Sequence, residues 1–255
     1  NEWVLTTRRW TLMAWYFLAS GLILGGQWAY EELGWGGFWA WDPVENAALM
    51  PWLTGTAFLH SVMIQEKRNM LKIWNVVLII TTFGLTIIGT FLTRSGIINS
   101  VHSFTQSEIG PAFLVYLALV LIAGFALLFK RIQILESEYK IESVLCRENV
   151  FLAQNILLVG IAFTVLLGTT FPLLAEAVRG TKLSIQAPFF NTITAPMGYA
   201  LLILMGVGML ISWRRSSLDN LRLNFQKPLI IATLGTLFLV WLMFEKSLRW
   251  DVYII

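Results

Sequence analysis

The chain has 255 residues, of which 57% are hydrophobic and only 13% charged. Soluble domains carry about 45–50% apolar and about 25% charged residues, so soluble, disordered and collagen-like proteins are excluded and a polytopic membrane protein is expected. A net charge of +3 is no nucleic-acid signature, and a single cysteine excludes an intrachain disulfide framework or a CxxC redox pair.

Seven apolar stretches predict membrane-spanning helices at 10–30, 46–65, 72–93, 111–130, 150–174, 195–213 and 228–245. A span needs about 20 apolar residues, so seven use about 140 and leave roughly 115 for links. The runs are too long for barrel strands and do not alternate. The expected fold class is therefore all-α, a polytopic helical bundle. No internal repeat or Gly/Ser linker divides it, so residues 1–255 read as a single membrane domain. The chain begins with Asn1 and has no signal peptide, and is expected to be a piece of a longer protein.

In chain order, the first span carries Trp10 and Trp28 near its ends, as an interfacial aromatic belt would, and a Gly21/Gly25 pair spaced for helix packing. Segment 31–46 holds a tryptophan-rich loop and the start of the second span. Trp35, Phe38, Trp39 and Trp41 cluster around Gly36 and Gly37. If the segment is extended, Trp35, Trp39 and Trp41 share one face, and if it is helical Trp35 and Trp39 still do; either makes a flat apolar platform suited to a large planar ring. An aromatic belt is the alternative. Asp42, Pro43 and Glu45 read as N-cap, first helical residue and capping box, with a charge that could also favour a cationic group.

His60 lies inside the second span, where histidines are costly and commonly functional. Fourteen residues from Asn46 correspond to roughly 21 Å of helix, which puts His60 in the half of the bilayer away from the tryptophan loop. A histidine bonded to a neighbouring helix is the plain alternative. Trp74 opens the third span. Segment 94–110 begins with Arg94 and contains His102, the only other histidine, flanking Ile97, Ile98, Val101 and Phe104 at helical spacing. An imidazole can ligate iron and an arginine can clamp a carboxylate; a solvated loop histidine and an interfacial cation are the alternatives. Cys146 reads as an ordinary thiol, and Trp213 as a further belt residue.

Thirteen of the 18 Lys and Arg residues fall on the N-terminal side of this topology and five on the other. The bias places the N-terminus inside, with 31–45, 94–110, 175–194 and the tail after 245 outside. There is no phosphate-binding loop, HExxH or nucleophile elbow.

The run WGGFWAWDPVENAALMPWLTGTAFLHS, Trp35 to Ser61, resembles the tryptophan-rich "WWD" motif of haem-handling proteins in cytochrome c maturation. Its extension after the Asp is similar to the CcmF-type haem lyase branch, which includes its nitrite-reductase-pathway relatives. FLTRSGIINSVHSF, GTTFPLLAEAV and APFFNTITAP are similar to the same branch. The resemblance covers essentially the whole chain. It implies that His60 ligates a stable haem b in the membrane and that His102 ligates the haem in transit. Trp35, Phe38, Trp39, Trp41, Asp42 and Arg94 would then contact the transferred haem.

The implied reaction is thioether formation between haem vinyl groups and the CxxCH thiols of an apocytochrome c, with no certain catalytic residue in this chain. Implied partners are a haem chaperone, apocytochrome c, a thiol-reducing subunit that holds the apocytochrome, the lipid bilayer, and a quinol as candidate electron donor. The implied location is the bacterial inner membrane with a periplasmic active face, or the mitochondrial inner membrane. The family has two further histidines that this chain lacks, so the chain is expected to be a central fragment. A haem exporter or haem-presenting chaperone without catalysis, and a structural membrane subunit, are the rival readings.

Overall fold

The computed structural model describes residues 2–95, 109–137, 143, 145–180, 183–214 and 216–252, apart from the side chains of 2–5, 218 and 245–252. Among them are eight helices and no strand: α1 (Glu2–Glu32), α2 (Pro43–Arg68), α3 (Lys72–Arg94), α4 (Gly110–Lys130), α5 (Ile132–Leu135), α6 (Arg147–Arg179), α7 (Ala187–Leu210) and α8 (Leu218–Val252). Six of these (α2, α3, α4, α6, α7 and residues Asp219–Phe244 of α8) are long and apolar enough to cross a membrane. The chain is a polytopic helical membrane protein.

Each expected span falls on a helix. α1, although 31 residues long, is less apolar than the other six because Trp10, Trp15, Tyr16, Gly21, Gly25 and Gly26 dilute it. The largest shift is in α7, which begins at Ala187 with Pro188 in its first turn and runs through Pro196. Proline at a first-turn position gives up only an amide that would be unpaired anyway. Together with α6, which continues to Arg179, this shortens the expected loop 175–194 to residues 180–186.

The chain folds as two compact units. The larger comprises residues 1–140 and 150–205, with α2 at its centre. α2 starts where the sequence says it should. Asp42 accepts from the Val44 amide, Glu45 closes the capping box, and Pro43 occupies the first turn. It ends at Asn69, whose left-handed backbone (φ 53°) reverses the chain into α3. Met50, Leu53, Ala57, Phe58 and Val62 recur at three- and four-residue spacing along one α2 face. They pack with Leu78 and Leu85 of α3 and with Leu158, Ile161, Ala162 and Val165 of α6.

Two polar pairs inside this unit bridge helices α2 and α3. Thr82 donates to Thr54 at 2.8 Å and Asn75 to Gln65 at 2.6 Å. Trp74, in the first turn of α3, packs against this core as well. Among the described residues nothing lies within 4 Å of a Cβ built at Gly21 or Gly25.

The smaller unit comprises residues 141–149 and 206–255. Arg147 organises it by donating to the Ile211 and Met209 carbonyls at 2.9 and 2.8 Å. These are the orphan acceptors at the C-terminal end of α7. The guanidinium also sits 5.4 Å above the Trp213 ring, which gives Trp213 a cation–π partner beyond the belt role expected of it. Glu148, buried, accepts from the Arg214 amide at 3.1 Å. Cys146 is buried and donates to the Ser143 carbonyl, and burial pushes its thiol pKa up.

Candidate functional site

Residues 33–42 form the tryptophan loop between α1 and α2. Gly34 and Gly36 adopt left-handed backbone (φ 64° and 71°) and turn the chain. The loop then folds back on α1. Phe38 stacks on Tyr30 with ring centres 4.5 Å apart and planes 12° apart. Its carbonyl comes so close to Gly26 that a Cβ there would sit 3.0 Å away. Gly26, not the Gly21/Gly25 pair, is the small residue this packing requires. Trp39 lines a groove of about 150 Å³ with Leu22, Gly25, Gly26, Val44, Glu45 and Ala48, and its buried Nε1 has no partner among the described residues.

Trp41 is held at three points. Its indole stacks on Phe190 of α7 (5.0 Å, 12°), and its Nε1 donates to Asn191 Oδ1 at 2.8 Å. Its carbonyl accepts from Asn46 Nδ2 at 3.0 Å, and the same amide group donates to Thr169 of α6 at 3.0 Å. Trp41 itself has a positive φ of 59°, which is a true outlier for a bulky residue. Trp39 and Trp41 meet edge to face at 87°. They therefore do not form the single flat platform expected from their spacing; the coplanar pairs are Trp41 with Phe190 and Phe38 with Tyr30.

The carboxylates of this region are engaged in the cap. Asp42 Oδ2 accepts from the Val44 amide at 3.0 Å, and Glu45 Oε2 accepts from the Ala40 and Asp42 amides at 3.1 and 3.2 Å. Arg94 is exposed in the last turn of α3. His102, with Ile97, Ile98, Val101 and Phe104, lies outside the described residues.

Near the other end of α2, half-buried His60 lines an open groove of about 210 Å³ with Arg8, Leu12, Trp15, Thr56, Leu59 and Met63. Trp15 stacks on Trp52 (5.9 Å, 21°) and donates to Thr56 at 2.7 Å. Thr56 in turn donates to the Trp52 carbonyl at 2.7 Å, which fixes one wall. Arg8 is paired with Glu66. The His60 ring lies 5.4 Å from that of Phe151, and its buried Nδ1 has no partner among the described residues.

An unpaired ring nitrogen within a span is costly. An imidazole with a free ring nitrogen beside an apolar aromatic wall is what an iron porphyrin requires on one face, while the Arg8 guanidinium at the groove's edge is already paired with Glu66. The residues fit such a group. Ligand pockets are typically about 300–1,000 Å³, so these walls enclose only part of one.

Reading the sequence missed Asn46, Thr169, Phe190 and Asn191, which fix Trp41, and Arg8 and Trp15, which line the His60 groove. The signal available was the rarity of polar residues in apolar stretches. Asn46 and Thr169 qualify, whereas Asn191 fell in the expected loop 175–194, and sequence alone does not show that the three converge.

The architecture and site define a class: helical membrane proteins that hold a tryptophan loop between a capped central helix and its neighbours. Residues 1–98 match the family described as cytochrome c assembly protein. Over 242 residues the chain is 45% identical to the cytochrome c-type biogenesis protein ccl1 of Rhodobacter capsulatus, covering 94% of this chain and 37% of that protein. It is 43% identical to CcmF of Escherichia coli K12, covering 96% of this chain and 38% of that one. The solved cytochrome c haem lyase CcmF superposes with a TM-score of 0.72 at 42% identity, over 92% of this chain and 35% of that one. The chain thus spans little more than a third of the length of the relatives it matches. It belongs to the cytochrome c assembly proteins, in their CcmF-type branch.

Proposed function

We propose that the chain is the central haem-handling part of a cytochrome c haem lyase of the bacterial inner membrane, with the tryptophan loop facing the periplasm. The observation that carries this is the loop itself. Its aromatic residues are held rigidly at one end of α2 by contacts to α1, α6 and α7, in a chain of this family. Pre-positioning is the part of the reaction a protein can supply here. Each thiol of the apocytochrome CxxCH motif adds across a haem vinyl group: sulfur bonds to carbon, and the thiol hydrogen passes to the other vinyl carbon. No oxidant is consumed and no cysteine of this chain is needed.

Trp35, Phe38 and Trp39 would contact the transferred haem, His102 would hold its iron, and Arg94 would pair with a propionate. The groove at His60 would hold a resident haem b, with Trp15, Leu59 and Met63 against the macrocycle. That group supplies one-electron chemistry, and a quinol is the donor class that suits a membrane site. A haem chaperone and a subunit that keeps the apocytochrome thiols reduced would complete the assembly.

The test uses the full-length protein. His102→Ala should abolish maturation of a reporter cytochrome c while the membrane haem spectrum persists, and added imidazole should partly restore maturation. Loss of the membrane haem with maturation intact would overturn the assignment.

A further inference from the structure

We propose that Asn191 and Asn46 are positioning residues for haem capture. Acting through Trp41, they hold the tryptophan loop in a strained conformation that sets the haem-facing rings. This rests on the haem-lyase reading of the loop and divides its tryptophans into two kinds.

A non-glycine residue at φ 59° persists only where its surroundings over-determine it. At Trp41 they do. Asn46, 1% exposed, spends both amide hydrogens on the Trp41 carbonyl and on Thr169. Asn191 takes the indole N–H, and Phe190, 2% exposed, covers the ring. Phe190 in turn lies where a Cβ on Gly168 would come within 2.5 Å of it. α2 and α7 thus meet on one residue of the loop, and α6 backs both contacts through Thr169 and Gly168.

The consequence for ligand binding is specific. The Trp41 indole has its N–H and one face committed to α7, so it is the anchor and not the ring offered to a porphyrin. Trp39 lies two residues earlier, perpendicular to Trp41 at 87°. Its direction follows from the reversed backbone at Trp41, while Gly34 and Gly36 set the turn that carries Trp35. Releasing Trp41 lets the preceding segment relax toward ordinary backbone, and the rings lose their arrangement while the core of α2 stays packed.

The experiment titrates ferric haem into the full-length protein, with its membrane haem already bound, and follows the Soret band of the second haem. Asn191→Ala and Trp41→Phe each remove the indole hydrogen bond, and Trp41→Phe keeps the stack. Each should weaken this binding about fivefold, the worth of one hydrogen bond. The double variant should be no worse than either single one, because they delete the same interaction. Asn191→Asp retains the acceptor oxygen and should restore affinity. The membrane haem absorbance should stay at its unsubstituted level throughout, which separates misplacement of the loop from loss of fold. If Asn191→Ala titrates as the unsubstituted protein while joint Trp35→Leu and Trp39→Leu abolishes binding, the bracket is overturned and the loop's haem role stands. If that joint replacement also leaves binding unchanged, the haem reading of the loop fails and the bracket's role falls with it.

Discussion

Glycine, histidine and cysteine at three places each make a residue-scale prediction. Gly160 and Gly168 sit one above the other on α6, and alanine at either would gain about 1 kcal/mol of helix propensity. The spaces they face differ. At Gly160 a new Cβ meets the end of the flexible Met197 side chain at 2.6 Å, whereas at Gly168 it meets the rings of Phe190 and Phe189 at 2.5 and 2.9 Å. A methionine terminus can swing away, but a ring stacked on Trp41 cannot move without moving Trp41. Overpacking costs about 1–3 kcal/mol, so Gly168→Ala should lower thermal stability in detergent and Gly160→Ala should not. Equal stability of the two would remove the Phe190 contact from the account. His60→Ala should eliminate the reduced haem b band of the purified full-length protein; an intact band would mean that iron is ligated elsewhere. Cys146 is 1% exposed with its thiol pKa raised by burial, so little thiolate exists near neutral pH. Native protein should resist maleimide at pH 7 and react only once unfolded, whereas fast labelling of the folded protein would contradict its burial.

At the scale of elements, the N-terminus of α2 separates capping from charge. Asp42→Ala removes the acceptor for the Val44 amide and should cost about 1 kcal/mol. Asp42→Asn keeps a good cap and should leave both stability and cytochrome maturation near normal. A maturation defect in the Asn variant at unchanged stability would show that the carboxylate charge, not the cap, contacts haem. This helix start was legible in the sequence because it depends on residues within one turn. The spans were legible for a similar reason: a membrane helix needs only a local apolar run. α7 was placed late because the polar Asn191, Thr192 and Thr194 break up the apolar run over its first turns, whereas the helix carries them in its interior. The tryptophan cluster was visible too, but not its geometry. Trp41 takes its partner from Asn191, 150 residues away in the chain. Spacing within the loop suggested a shared face, whereas Trp41, stacked on Phe190 of α7, stands perpendicular to Trp39. The His60 groove was half legible: the histidine stood out inside its span, whereas Arg8 and Trp15 come from a different helix.

For the whole molecule, α2 carries the argument from packing to function, since the tryptophan loop lies at its start and His60 about four turns further on. At 1.5 Å per residue, Asn46 and His60 are roughly 21 Å apart along the helix, too far to share one iron. A haem at the loop and a haem at His60 would therefore be separate, at different depths. Which depth faces which compartment depends on the charges. Lys67, Arg68 and Lys72 flank the α2–α3 turn, Lys130 closes α4 and Arg131 follows it; by the positive-inside rule this clustering predicts those ends inside and the tryptophan loop outside. A labelling experiment decides it. Cys146→Ser keeps a donor for the Ser143 carbonyl and removes the one thiol among these 255 residues, and any cysteine elsewhere in the full-length protein is replaced likewise. Gly37 is half-exposed with nothing within 4 Å of a new Cβ, and Lys67 is exposed, so each tolerates a single cysteine. With a membrane-impermeant maleimide, Gly37→Cys should label in intact spheroplasts and Lys67→Cys only after permeabilisation. The reverse pattern would invert the topology. It would place the loop where no exported apocytochrome could meet its haem, and the proposed lyase face would fail with it.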